Sequence, residues 1–146
     1  MDLLDKVVVI TGGSGGIGKA MAQAFLREGA KAIVLADLNA EAVESTATEL
    51  GCDGMACDVT REEQIQALVD ATIAKHGRID LFCSNAGAGG QGLLTDAPNE
   101  IWQIQWDLHV MSHLYAARAV LPGMIEQGGG YLLNTASAAG LLAALA

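Results

Sequence analysis

The sequence predicts an α/β fold: a doubly wound parallel sheet with strand order 3-2-1-4-5. Three observations predict it. Short apolar runs alternate with segments of helical period along all 146 residues. The stretches between those runs are about ten residues or longer, which demands right-handed crossovers and parallel pairing. A glycine-dense turn, Thr11-Gly12-Gly13-Ser14-Gly15-Gly16-Ile17-Gly18, joins the first apolar run to the first helical segment. In such a sheet the ligand crevice lies where the strand order reverses, between the first and fourth strands.

Each element has its own signal. Val7 to Thr11 reads as β1. Ile17 to Arg27 reads as a helix with Ile17, Met21, Ala24 and Phe25 facing inward, closed by Gly29. Lys31 to Ala36 is an unbroken strand, suited to a sheet covered on both faces. Asn39 caps a helix running to Leu50. Asp53 to Cys57 is a third strand. Thr60 and Glu63 have the spacing of a capping box for the next helix. That helix turns Ile65, Leu68, Val69, Thr72 and Ile73 inward and stops at Gly77. Ile79 to Ser84 is a fourth strand, Pro98 to Gln127 a long helix ended by Gly128-Gly129-Gly130, and Tyr131 to Ala136 a fifth strand. No linker or repeat divides these residues, so residues 1–146 read as one domain.

Composition narrows the class. Hydrophobic residues make up 51% and charged residues 17%, which suits a packed core and not a disordered chain. A net charge of −9 argues against nucleic acid or an acidic membrane surface as partner. The longest apolar stretch, Ala138 to Ala146, falls short of the roughly 20 residues that cross a bilayer. No secretory leader is visible at Met1-Asp2-Leu3-Leu4. Cys52, Cys57 and Cys83 are odd in number and read as reduced, in keeping with a cytoplasmic protein.

The glycine turn is built for phosphate. Gly12 allows the sharp exit from β1, Gly16 clears the backbone where a pyrophosphate must approach, and Gly18 lets helix and strand pack closely. The helix behind it aims free N–H groups and a partial positive charge at the anion. Asp37, 19 residues after Gly18, stands where a carboxylate accepts from the ribose hydroxyls of adenosine. It repels a 2′-phosphate. No Arg or Lys within Gly12–Gly18, or directly after Asp37, attracts one. The expected cofactor is NAD rather than NADP.

At these residues the chain resembles the classical short-chain dehydrogenase/reductase family, over nearly its whole length. Thr11-Gly12-x-x-x-Gly16-Ile17-Gly18 matches that family's cofactor motif, with Ser14 inside it. Asp58-Val59 matches its adenine-contacting pair, and Asn85-Ala86-Gly87 its motif after β4, with Ser84 where a second Asn is usual. The resemblance implies a Rossmann-type domain and hydride transfer between NAD and a secondary alcohol or its ketone. It implies that Ser137 bonds the reacting oxygen and that the helix position of His109, where the family carries Asn, belongs to a proton relay. A packed or surface histidine is the alternative for His109. The imidazole pair His109 and His113 lacks the setting of a metal site.

The resemblance also implies a tyrosine, with lysine four residues on, after β5. Tyr115 is followed at that distance by Ala119 and Tyr131 by Thr135, so neither qualifies. We therefore expect the catalytic Tyr and Lys beyond Ala146, an incomplete domain here, and no turnover by these 146 residues alone. The substrate-facing stretches Gly87 to Asp96 and Leu141 to Ala146 are apolar to neutral, which suggests an uncharged substrate. The resemblance implies association as a homodimer or homotetramer through the long helix after β4 and its successor; Trp102 and Trp106, one turn apart, either lie on that face or pack onto the sheet. Two rivals remain at this point: a nucleotide-binding module without turnover, and another glycine-turn class such as a methyltransferase using S-adenosylmethionine.

Overall fold

A computed structural model describes residues 2–89 and 95–140. Five parallel strands form one sheet in the order β3-β2-β1-β4-β5. They are β1 (Val7–Thr11), β2 (Ala32–Asp37), β3 (Asp53–Ala56), β4 (Leu81–Ser84) and β5 (Tyr131–Asn134). Helices α1 (Gly16–Arg27) and α2 (Ala40–Leu50) cover one face, and α3 (Glu62–His76) and α5 (Ser112–Glu126) the other. An eight-residue helix, α4 (Asn99–Trp106), leads into α5.

The alternation of side chains along β1 explains why the whole strand is apolar. Val8 and Ile10 join Ala22, Ile33, Leu35 and Val43 beneath α1 and α2. Val9 turns the other way, to Val34, Leu68, Phe82, Ala116 and Val120 beneath α3 and α5. Each such side chain taken from water contributes about 1.5–3 kcal/mol before the entropy of ordering is subtracted. Val8 pairs with Ile33 on one side and Leu81 on the other, so β1 is the centre of the sheet. Asp80 fastens its entrance: the buried carboxylate accepts the Val7 N–H at 2.9 Å and is paired with Arg78.

Glycine stops act as expected. After α1, Gly29 has φ +82°, its N–H reaches the Leu26 carbonyl, and the Ala30 N–H reaches Phe25. Gly77 closes α3 with φ +83°. Asn39 caps α2 through its side-chain oxygen, which accepts the Ala42 N–H at 3.0 Å.

Four expectations change. Ile17 is 63% exposed and lines the crevice instead of the core, whereas Met21 and Phe25 pack inward as expected, beside the buried Gly18 and Ala22. Ile73 is 40% exposed near the end of α3, off the stripe formed by Ile65, Leu68, Val69 and Thr72. The capping box of Thr60 and Glu63 does not form. Asp58 offers a closer acceptor, so the Thr60 N–H and hydroxyl both donate to its Oδ1, at 3.0 and 2.7 Å. Glu63 pairs with Arg61 instead. Finally, the long helix is not uniform: Asp107–Met111 is π-helical. There the Ser112 N–H reaches back five residues to the Asp107 carbonyl, and its hydroxyl donates to Leu108 at 2.6 Å.

Strand limits also differ by one or two residues. β4 begins at Leu81 and β5 ends at Asn134, so Thr135 and Ala136 follow the strand. Residues 141–146 and 90–94, part of the substrate-facing stretches named above, lie outside the described residues.

Candidate nucleotide site

A crevice of 840 Å³ opens at the carboxyl ends of the strands, where β1 and β4 part company with their opposite neighbours. Its walls contain Gly12, Ser14, Gly16, Ile17 and Gly18 from the turn, Asp37 and Leu38 after β2, Asp58 and Val59 after β3, and Asn85, Ala86 and Gly87 after β4. Residues scattered over 76 positions of sequence thus meet because parallel strands deliver all their carboxyl ends to one edge.

The turn is held by close backbone approach. Gly12 has φ +65°, and a Cβ there would lie 2.9 Å from the Ala86 Cα. A Cβ on Gly18 would run into the Gly12 carbonyl. Gly16 differs: nothing stands within 4 Å of where its Cβ would be, and the residue is exposed to the crevice.

Asn85 joins three strands. Its Nδ2 donates to the Thr11 carbonyl at 3.1 Å, and its Oδ1 accepts the Thr135 hydroxyl at 2.9 Å. Thr11 answers from the buried end of β1. Its hydroxyl donates to the Cys83 carbonyl and accepts the N–H groups of Asn85 and Ala86. In the sequence Thr11 is marked only as the first residue of the glycine motif. The signal was there, as one hydroxyl ending a strand that is otherwise Val and Ile.

The two carboxylates are held differently. Asp37 Oδ2 accepts from Ser14 twice, at 3.1 Å from N–H and 2.6 Å from the hydroxyl. Asp58 Oδ1 is occupied by Thr60, and its own N–H donates to Gln64 at 2.8 Å. Beside it, burial and then the Asp58 charge push the Cys57 thiol up to about 11, so it remains a neutral wall of the crevice.

His109 and Ser137 stand apart from that wall. His109 lies in the π-helical segment, and its Nε2 is 3.0 Å from the Ala88 carbonyl. A carbonyl only accepts, so Nε2 carries the proton. The ring backs Gly87, where a Cβ would meet His109 Cε1 at 3.0 Å. His109 therefore supports the residues that line the crevice. Ser137 is exposed and follows Thr135 by two residues; its carbonyl accepts the Gly140 N–H at 3.0 Å in a single 3-10 turn, Ala138–Gly140. Among the described residues no group of three His, Cys, Asp or Glu could hold a metal.

Residues 6–145 match the short chain dehydrogenase family. The chain belongs to that family. Among curated members, this short chain dehydrogenase is 37% identical over 141 residues to an uncharacterised oxidoreductase of Staphylococcus aureus, covering 94% of this chain and 61% of that one. It is 36% identical to D-threitol dehydrogenase of Mycolicibacterium smegmatis, again over 94% of this chain but 55% of the relative. Among solved structures, a short chain dehydrogenase/reductase from Burkholderia phymatum in complex with NAD superimposes with a TM-score of 0.92 at 33% identity, over 99% of this chain and 53% of that one. NAD+-bound xylitol dehydrogenase superimposes at 0.87 with 35% identity, over 97% and 56% of the two chains. The present chain thus spans between half and two thirds of the length of these relatives.

Proposed function

We propose that this short chain dehydrogenase is an NAD-dependent oxidoreductase that moves a hydride between nicotinamide and a secondary alcohol or its ketone. The observation that carries the reading is the crevice, which unites open space over Gly16 with a carboxylate at the end of β2. NAD, when bound, supplies the hydride chemistry. The chain's residues fit it. The open space at Gly16 and the N-terminus of α1 receive the pyrophosphate. Asp37 receives the ribose diol, and Asp58, whose Oδ2 is the less occupied oxygen, receives the adenine amino group. The related structures with NAD+ bound or in complex with NAD support the same choice.

The residues nearest the chemistry act by position. Ser137 bonds the reacting oxygen; a hydroxyl suits both alcohol and ketone because it donates and accepts. His109 holds Ala88 and Gly87 at the crevice wall. A homodimer or homotetramer through α4 and α5 agrees with Trp102 and Trp106, both about half exposed. A cytoplasmic location agrees with three free cysteines, and no helix among the described residues is long and apolar enough to cross a membrane.

Reduction of NAD by the full-length protein in a scan of uncharged secondary alcohols tests the reading; Ser137→Ala should lower kcat by about 100-fold or more for the alcohol that responds. Unchanged turnover in that variant sinks the serine assignment.

A further inference from the structure

The geometry points to Ser14 as the residue that makes the crevice discriminate between a free ribose diol and its 2′-phosphate, by locking the Asp37 carboxylate in place. This deepens the NAD reading and rests on it. The Ser14 hydroxyl donates to Asp37 Oδ2 at 2.6 Å, the short length of a charge-assisted bond. The Ser14 N–H donates to the same oxygen at 3.1 Å. Among the described residues, Oδ1 receives only the Asn39 N–H, at 3.4 Å. One carboxylate oxygen is therefore spent on the glycine turn, and the other keeps most of its acceptor capacity.

The hydroxyl has no competing duty. A serine just ahead of a helix often caps it, but the N-cap residue of α1 is Gly15 and no side chain caps that helix. Having given its one proton to Asp37, Ser14 Oγ keeps its lone pairs and accepts. Ser14 Oγ and Asp37 Oδ1 together then present two acceptors, each with a line to the same carboxylate. A vicinal diol supplies the two donors they need. A 2′-phosphate removes one donor and sets its own negative charge against a carboxylate held by two bonds, so the carboxylate cannot rotate away. Recognition of the diol and rejection of the phosphate share one device. Ser14 thus acts twice, as an acceptor for the diol and as the residue that positions Asp37.

Calorimetric titration of NAD and NADP into the protein, its Ser14→Ala variant and its Ser14→Thr variant tests this, with a thermal melt of each. Loss of the hydroxyl leaves one bond to Oδ2, and the carboxylate regains rotamers that admit the phosphate. The ratio of NADP to NAD dissociation constants should fall by about tenfold in Ser14→Ala, the equivalent of one ordinary hydrogen bond. Ser14→Thr should restore the ratio, and the melting temperature should move little. If Ser14→Ala does not fold, Ser14→Cys, a weak donor of similar size, carries the same expectation. An unchanged ratio in Ser14→Ala, or a lost ratio that Ser14→Thr does not recover, overturns the inference. A native protein that binds neither dinucleotide, or both equally, overturns the NAD reading itself, and shows it before any variant is made.

Discussion

The Asn85 side-chain amide donates to the Thr11 carbonyl at 3.1 Å, linking the ends of β4 and β1 at the point where the crevice opens. The same side chain accepts the Thr135 hydroxyl, so one amide spans three strand ends. Asn85→Ala removes both bonds and leaves the Thr11 carbonyl short of a partner in a partly buried setting. It should cost about 1–3 kcal/mol, read as a lower urea midpoint with unchanged slope.

Gly16 and Gly18 differ by two positions and should fail in different ways. Gly16→Val adds atoms to open space, so the melting temperature should hold while NAD binding drops at least about tenfold. Gly18→Ala drives a Cβ into the Gly12 carbonyl, so it should lower both stability and binding. Paired melts and titrations check this. Equal loss of stability in both variants would remove the distinction between a cradle and a packing contact.

The sheet order, the strand cores and the gathering of Gly12, Asp37, Asp58 and Asn85 were legible because they follow from period and from parallel pairing. Three features were not. Helical period says that Ile17 shares a face with Met21, but not that the first turn of α1 overhangs a crevice. The spacing of Thr60 and Glu63 says that a capping box is possible, but not that Asp58 takes the Thr60 hydroxyl first. The π-helical turn at Asp107–Met111 leaves no periodic mark, since a shift of one residue is lost in a helix of mixed faces.

Stability should fall in alkali for a specific reason. Burial pushes the Cys83 thiol up to about 12, and burial followed by the Asp58 charge pushes Cys57 to about 11. A raised folded-state pKa means that the neutral form is favoured by folding. That stabilisation is whole below the ordinary thiol value of about 8.5 and is lost as pH rises through 11 to 12. The urea midpoint should decline across this window, and less steeply when Cys57 and Cys83 are both Ala. Identical slopes would exclude the thiols as the cause.

Acid acts elsewhere. Burial alone would raise the Asp53 carboxyl, but hydrogen bonds from Lys75 and His76, each 2.7 Å, outweigh it and hold the group below its usual range. A lowered folded-state pKa gives stability that is present above about pH 3.9 and is lost as pH falls through the folded value. Asp53→Asn should flatten the acid limb of the stability curve, measured by urea midpoint against pH. The pair is partly exposed, so the effect should be small.

Trp102 and Trp106 lie four residues apart on α4 and are 50% and 54% exposed. Two large indoles on one face favour association. Sedimentation should show a species larger than a monomer, and Trp102→Lys with Trp106→Lys should shift it downward. No shift would place any interface elsewhere.

A crystal structure of the protein grown with NAD tests the central claim most directly. The predicted result is pyrophosphate over Gly16, the ribose diol on Asp37 and Ser14, and adenine beside Asp58. NAD bound in another cavity, such as the 320 Å³ hollow lined by Asp53, Lys75 and His76, or a crevice left empty at saturating NAD, would contradict it.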